Sequence, residues 1–395
     1  MEWFKKIKVL SLEQATVVPY LTYRLAQDGF EIIRMEHPVH GDPNRLVGER
    51  VLDEDRMNAY YLCINSGKKA ITLDLASAEG RKIFNSLVTT FDIDIFITNQ
   101  LPKNYEKLGI DYEILRQLKP DIIWMGVTGF GPESNEAAYD PILQARAGLM
   151  ELTGEKDGPP QSIGIPLPDM GTSEHGYGLL MKALLRRQIE KKGSRIDLSM
   201  FDSSVSWLTV PICLSATFGK RITRHGNAHE FFCPVNVYET RDGFIYLAVG
   251  NDRQWKAMVS QTEFQALNKP EYEKNSGRIS DGPTVHAAIT AITRLLPSSR
   301  LIDLLQSIGV PVSKIKIISE VIEDPCVKNN LLHSEDPVSK MRITLAPPPH
   351  ETSFIEASGE TLTFPPRFGE HNEAIFGALG YTKADLSRLR ESGVI

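Results

Sequence analysis

The chain has 395 residues, of which 42% are hydrophobic and 24% charged, and its 44 Lys and Arg against 50 Asp and Glu give a formal charge of −6. That length exceeds one compact core and sets two domains as the starting expectation, while the acidic balance excludes a platform for nucleic-acid backbones, which needs a basic excess. No apolar run approaches the roughly 20 residues that span a bilayer, and Glu13 interrupts "MEWFKKIKVLSLEQATVV", which fails as a signal peptide.

In chain order, "IKVLSL" reads as a buried strand, and "VVPYLTYRLAQDGF" as a helix stopped by Gly29. "EIIRME" and "KAITLDL" are strands, "SAEGRKIFNSLVTTF" a helix, and "IDIFITN" a strand. "DYEILRQLKP" is helical, and "DIIWMGVTGFG" is a strand running into a glycine turn. Such alternation over about 130 residues predicts an α/β class with a doubly wound parallel sheet. Beyond "IPLPDM", Tyr177, Leu180, Met181, Leu184, Leu185 and Ile189 recur at helical steps until Lys191, Lys192 and Gly193 close the helix. "SRIDLSM" then alternates as a half-buried strand. Near residue 220 the texture changes: "VNVYETRDGFIYLAV" predicts a hairpin around Asp-Gly. The helical patterns "DRQWKAMVSQ", "TVHAAITAITRLL" and "RLIDLLQSIG" follow, as in a smaller second domain. The tail holds a strand, "MRITLA", a proline cluster and a last helix near "KADLSRLRES".

Cys63, Cys213, Cys233 and Cys326 are far apart and form no CxxC pair. They read as buried thiols of a reducing compartment, so the expected location is cytoplasmic, with no zinc or other metal site. A P-loop, a dinucleotide fingerprint, HExxH and GxSxG are all missing. What remains is a lone carboxylate, Asp169, just before the long helical pattern. An Asp there is an ordinary cap for orphan N–H groups. The same positive helix end favours an ionised carboxylate, which is a competent nucleophile towards an activated carbonyl. "Pro-Leu-Pro" stiffens the approach, and Gly171, Gly176 and Gly178 leave room for a ligand or a second backbone. Pattern alone does not choose between these readings.

Nearly the whole chain resembles the family III CoA-transferases, also called the CaiB/BaiF family. The likeness runs through "IKVLSLEQATVVP", "GFEIIRMEHPVHGDPNR", "SGKKAITLDLASAEGRKIF" and "NYEKLGIDYEILRQLKPDIIWMGVTGFG". It continues through "YDPILQARAGLM", "IPLPDMGTSEHGYGLLMKALLRRQ", "RHGNAH" and the closing "FGEHNEAIFGALGYTKADLSRLRESGVI". The resemblance implies a large Rossmann-like doubly wound domain from residues 1–215 together with 330–395, and a smaller α+β domain from 216–329 covering the active site. It also implies an interlocked, ring-like homodimer, or a hetero-oligomer with a paralogous subunit. Asp169 falls on the family's nucleophilic aspartate, and Tyr139 and Asp140 on a catalytic pair beside it. The matching CoA-binding positions are Ala15, Thr16, His37, Lys69, Leu73, Asn99, Lys107 and Leu108. No permanently bound cofactor is implied; coenzyme A thioesters are substrates.

CoA would pass from a donor such as succinyl-CoA to a carboxylic acid, a dicarboxylate or substituted succinate, through anhydride and aspartyl-CoA thioester intermediates. Arg146, Arg195 and His175 are candidates for a distal carboxylate. Thr16 stands where oxalate-type members have Gln, His37 where they have Arg, and Gln100 where they have an aromatic residue, which weighs against oxalate or formyl specificity. Two rivals stand beside this reading. A 2-methylacyl-CoA racemase shares the fold, but those enzymes use a His where this chain has Tyr139, a poorer base. A non-catalytic partner subunit of a hetero-oligomeric CoA-transferase is the other.

Overall fold

In the computed structural model, which describes residues 3–350 and 352–395, six apolar runs form one sheet. They are β1 (Lys8–Leu12), β2 (Glu31–Glu36), β3 (Lys68–Thr72), β4 (Ile95–Thr98), β5 (Ile123–Thr128) and β6 (Ser194–Ser199). Every pairing is parallel, and the order is β3-β2-β1-β4-β5-β6. Parallel neighbours require long crossovers, and the crossover helices cover both faces, which is why every residue of β4 and β5 is buried. The two-residue period of a strand sorts the core. Val9, Ile32, Ile95 and Ile123 share a cluster with Leu21 and Leu25 of the helix Val17–Gln27 and Leu180 and Leu184 of the helix Leu167–Glu190. Leu10, Ile33, Phe96 and Trp124 pack on the other side with the helix Ala78–Thr90 and with Ile375, Phe376, Leu386 and Leu389 from the C-terminal helices. The tail thus closes one face of a sheet begun more than 300 residues earlier.

The chain divides into two units: residues 1–147, 164–213 and 326–395, and residues 148–163 with 214–325. In the second, β7 (Val235–Thr240), β8 (Gly243–Ala248) and β9 (Val312–Lys314) form an antiparallel sheet. Thr240 pairs with Gly243, so Arg241 and Asp242 make the two-residue turn. Tyr238, Ile245, Leu247, Trp255, Ile289 and Leu305 belong to its core. Residues 148–163 join this unit because Arg224 bonds the Gly158 carbonyl and the Glu151 carboxylate, and the Gly226 N–H donates to Gly154 O. The first unit also carries the hairpin β10 (Leu332–Glu335) and β11 (Arg342–Leu345).

Two expectations need correction. Only Cys233 is buried; Cys63, Cys213 and Cys326 are exposed, and none of the four forms a disulfide. The long helix starts at Leu167 with Pro166 at its cap, so Asp169 lies inside the first turn and not before it. Proline suits these opening positions because the first-turn N–H groups have no intrahelical acceptor. No helix among the described residues is long and apolar enough to cross a membrane.

Candidate active site

Asp169 is half-buried, and among the described residues no group donates a hydrogen bond to its carboxyl. The capping reading therefore does not hold for its side chain. Burial pushes this carboxyl up to about 7, and the neighbouring Asp140 carboxylate adds to the rise. The sequence argument expected the helix end to favour ionisation; desolvation and like charge outweigh it.

Asp140 opens the helix Asp140–Arg146 and is buried, while its predecessor Tyr139, at the helix cap, is 73% exposed. Asp140 Oδ2 accepts the Asp169 backbone N–H at 3.2 Å, and Oδ1 accepts Gln144 Nε2 at 2.6 Å. Two acids from helices far apart in sequence thereby meet at one helix start. Ser173 Oγ, one turn on from Asp169, lies 2.6 Å from the Val17 carbonyl and 2.8 Å from the Asp169 carbonyl. This bridge sets the start of the long helix against the start of the helix Val17–Gln27, which follows β1.

The glycines near Asp169 are filled by this chain's own side chains. A Cβ on Gly171 would sit 1.6 Å from Trp207, and one on Gly176 would sit 3.1 Å from Leu21; only Gly178 faces open space. Trp207 Nε1 donates to His175 Nε2 at 3.1 Å, and His175 Nδ1 is 2.6 Å from Ser203 Oγ. Gly171→Ala must displace the indole and break that chain, a change of about 1–3 kcal/mol for an overpacked site. The expected result is a lower melting temperature with a changed tryptophan emission that is absent in a Trp207→Phe background. An unchanged emission would show that the indole stays in place.

The sheet order reverses between β1 and β4, and the crevice outside the strands' carboxyl ends at such a reversal is where α/β folds hold ligands. Here the crevice is about 300 Å³, lined by Gln14, His37, His40, Leu73, Asp74, Gln100, Lys107 and Leu108 among others. His37 Nδ1 accepts the Val39 and His40 amides at 3.1 and 3.3 Å, which leaves its proton on Nε2, 3.7 Å from Asp74. Burial lowers the His37 pKa despite that carboxylate. Lys107 is exposed at the crevice.

Behind the crevice lies a buried charge cluster that the sequence reading missed. Arg34, Arg45 and Lys68 oppose Glu13, Glu36 and Asp42, all at most 3% exposed. Arg34 Nη2 bonds Asp42 at 2.8 Å, Arg45 bonds Glu36 through both Nε and Nη2, and Lys68 Nζ bonds Glu13 at 3.0 Å. Burial opposes ionisation of Glu36, yet the Arg34 and Arg45 guanidiniums hold it down to about 2. The cluster clamps Ala15, whose φ of 62° is unusual for a residue with a Cβ. Asp42 Oδ1 accepts the Ala15 N–H at 3.0 Å, and Asn44 Nδ2 donates to the Ala15 carbonyl at 2.6 Å.

Of the positions matched to CoA binding, His37, Leu73, Lys107 and Leu108 line the crevice. Ala15, Thr16 and Asn99 belong to its neighbouring loops: Asn99 holds Gln14 through both amide atoms, and Thr16 Oγ1 is 3.0 Å from Tyr60 Oη. The structure does not bring Lys69 there. It sits near the amino end of β3, paired with Glu31 at 2.6 Å, because adjacent residues of a strand face opposite ways and Lys68 takes the inward position. The candidates for a distal carboxylate are already engaged, Arg146 by Glu136, Arg195 by Asp197, and His175 as above. Only the Asp-Pro-Asn turn of "HGDPNR" hinted at the clamp in sequence. Among the described residues no group of His, Cys, Asp and Glu is arranged to hold a metal ion.

The sequence pattern of the family described as CoA-transferase family III matches residues 4–372. A succinate–glutarate CoA-transferase of Agrobacterium fabrum is 32% identical over 82% of this chain and 82% of its own. A succinyl-CoA:mesaconate CoA-transferase of Haloarcula marismortui is 30% identical over 95% of this chain and 96% of its own. Among solved structures, a CAIB/BAIF family protein from Brucella suis matches with a TM-score of 0.82 and 29% identity, over 94% of this chain and 98% of that one.

Proposed function

The chain belongs to CoA-transferase family III and is an enzyme of that family, and from this membership we propose that it moves CoA from succinyl-CoA to a dicarboxylic acid through covalent intermediates on Asp169. The observation that carries the proposal is a half-buried carboxyl, without a hydrogen-bond donor among the described residues and raised to about 7, in the first turn of a helix that abuts the start of the helix after β1. A carboxylate whose conjugate acid is that weak is a stronger nucleophile than an ordinary aspartate.

In the first step an Asp169 oxygen attacks the thioester carbonyl carbon, the C–S bond breaks, and CoA leaves as thiolate with a mixed anhydride on Asp169. The thiolate then attacks the Asp169 Cγ, the anhydride C–O bond breaks, and the donor acid departs as carboxylate. An aspartyl-CoA thioester remains. The acceptor carboxylate attacks that Cγ and expels the thiolate, which attacks the acceptor carbonyl of the new anhydride. The product acyl-CoA forms and Asp169 is restored. One thioester is exchanged for another, so the balance needs no ATP. The Tyr139 phenol is the group available to donate to a developing oxyanion, and Asp140, held beside Asp169, is available to orient it.

His37, Leu73, Lys107 and Leu108 would receive CoA in the crevice, with Ala15, Thr16 and Asn99 shaping its rim. Dicarboxylates as acceptors rest on the names of the relatives. The dimer is supported by the helix Thr209–Phe218, which has no buried residue and exposes Val210, Ile212 and Phe218; a monomeric mass in solution would overturn it.

The function is tested with succinyl-CoA as donor and a panel holding glutarate, mesaconate, other substituted succinates, oxalate and monocarboxylates. Acceptor-dependent formation of a new acyl-CoA is expected with dicarboxylates, at a kcat/KM at least about tenfold above that with oxalate. Failure with every acid, together with deuterium uptake at the α-carbon of a chiral 2-methylacyl-CoA in heavy water, would replace the transferase reading by racemisation.

A further inference from the structure

Taking Asp169 as the acylated residue, on which this step rests, we infer that Gln144 is a positioning residue of the reaction. By holding Asp140 with its amide, it makes Asp140 the permanently charged member of the carboxyl pair and Asp169 the one that gains and loses the proton.

The geometry is local and then tertiary. Asp140 and Gln144 are four residues apart on the helix Asp140–Arg146, so their side chains share a face. Gln144 is 2% exposed, and its Nε2 lies 2.6 Å from Asp140 Oδ1. A carboxylate only accepts, so the amide must present its NH2 end. The other oxygen of Asp140 accepts the Asp169 backbone N–H. Each Asp140 oxygen thus has a donor, whereas the Asp169 carboxyl has none among the described residues.

Two adjacent buried acids cannot both ionise freely, and the first to ionise is the one whose charge is hydrogen-bonded. Burial raises Asp140 above its usual range, and the Gln144 amide and the Asp169 N–H draw it back. Asp169 has only burial and the Asp140 charge acting on it, both upward. Among the described residues no cation draws down either carboxyl. On the surrounding elements Arg24 is held by Glu174, Arg146 by Glu136, Arg187 by Asp94 and Arg195 by Asp197. Asp28 is bonded to Tyr177, His175 to Ser203 and Trp207, and Asp202 is exposed.

Only ionised Asp169 attacks a thioester, so the acid limb of the rate profile reports the pair. Without the Gln144 amide, the shared proton moves to Asp140, and Asp169 stays ionised to lower pH. The test is kcat/KM for succinyl-CoA against pH, in wild type, Gln144→Leu, Asp140→Asn and the double variant. Wild type should lose activity below about 7. Gln144→Leu should carry that limb down by about one unit, whatever happens to the maximal rate. Asp140→Asn should carry it down as well, and the double variant no further than Asp140→Asn alone.

A Gln144→Leu enzyme with a lowered rate but an unmoved limb makes Gln144 a packing residue and overturns the inference. If Gln144→Leu does not fold, an unmoved limb in Asp140→Asn overturns it equally. Either result leaves the nucleophile untouched so long as Asp169→Ala is inactive; an active Asp169→Ala sinks the reading beneath.

Discussion

Asp169→Ala is expected to abolish CoA exchange, lowering kcat/KM by about a thousandfold or more, as when a covalent nucleophile is removed. The fold and the affinity for CoA should persist. The carboxyl accepts no hydrogen bond among the described residues, and the helix start is held by the Asp169 main chain through Asp140 and Ser173. Wild type given succinyl-CoA without acceptor should react with hydroxylamine to leave a hydroxamate at position 169. A variant that exchanges CoA at the wild-type rate, or a hydroxamate elsewhere, would sink the mechanism.

The same residue should lower stability at neutral pH. Its pKa in the folded chain is about 7 against an ordinary 3.8, so the folded state keeps a proton that the unfolded chain has released. The stability this gives is full below the lower value and is lost as pH rises to the upper one. A three-unit shift corresponds to at most about 4 kcal/mol, and partial exposure reduces that to about 2 kcal/mol. Asp169→Asn should therefore melt about 2–4 °C above wild type at pH 8 and level with it at pH 4. Equal melting at both would mean that the carboxyl is solvated.

Arg34→Met is expected to have the largest effect on folding. Arg34 is fully buried, bonds Asp42 at 2.8 Å and lies 3.4 Å from Glu36 and 3.8 Å from Glu13. A methionine fills much of the volume but leaves those three carboxylates to Arg45 and Lys68. Removing one partner from a buried ion cluster costs about 3–5 kcal/mol, because the stranded charge has neither water nor a counter-ion. Part of the damage should reach function. Asp42, deprived of its guanidinium, holds Ala15 less firmly, and KM for acyl-CoA should rise along with the fall in stability. Urea unfolding within 1 kcal/mol of wild type, judged against the usual ±0.5 kcal/mol of a surface change, would show the cluster to be relaxed by water.

The periodicities of the first 130 or so residues made the parallel sheet legible, because a strand buried on both faces must be an apolar run between helices. The family likeness ran through nearly the whole chain, and its segment "IPLPDMGTSEHGYGLLMKALLRRQ" carried Asp169. Residues 148–163 were less legible, since their affiliation depends on Arg224 and Gly226, more than 60 residues away. Lys68 and Lys69 look alike in sequence, yet one closes a buried ion cluster and the other pairs with Glu31 at the opposite end of the sheet from the crevice.

By itself, then, the sequence determined the alternation of elements, the helix that presents Asp169 and the chemical type of the group presented. Those depend on residues within a few turns of one another. The tertiary structure decided the state of that group. Whether a carboxyl caps a helix or stands desolvated beside a second carboxyl depends on Asp140 and Gln144, brought in by another helix, and proton affinity follows the surroundings in space and not the neighbours along the chain.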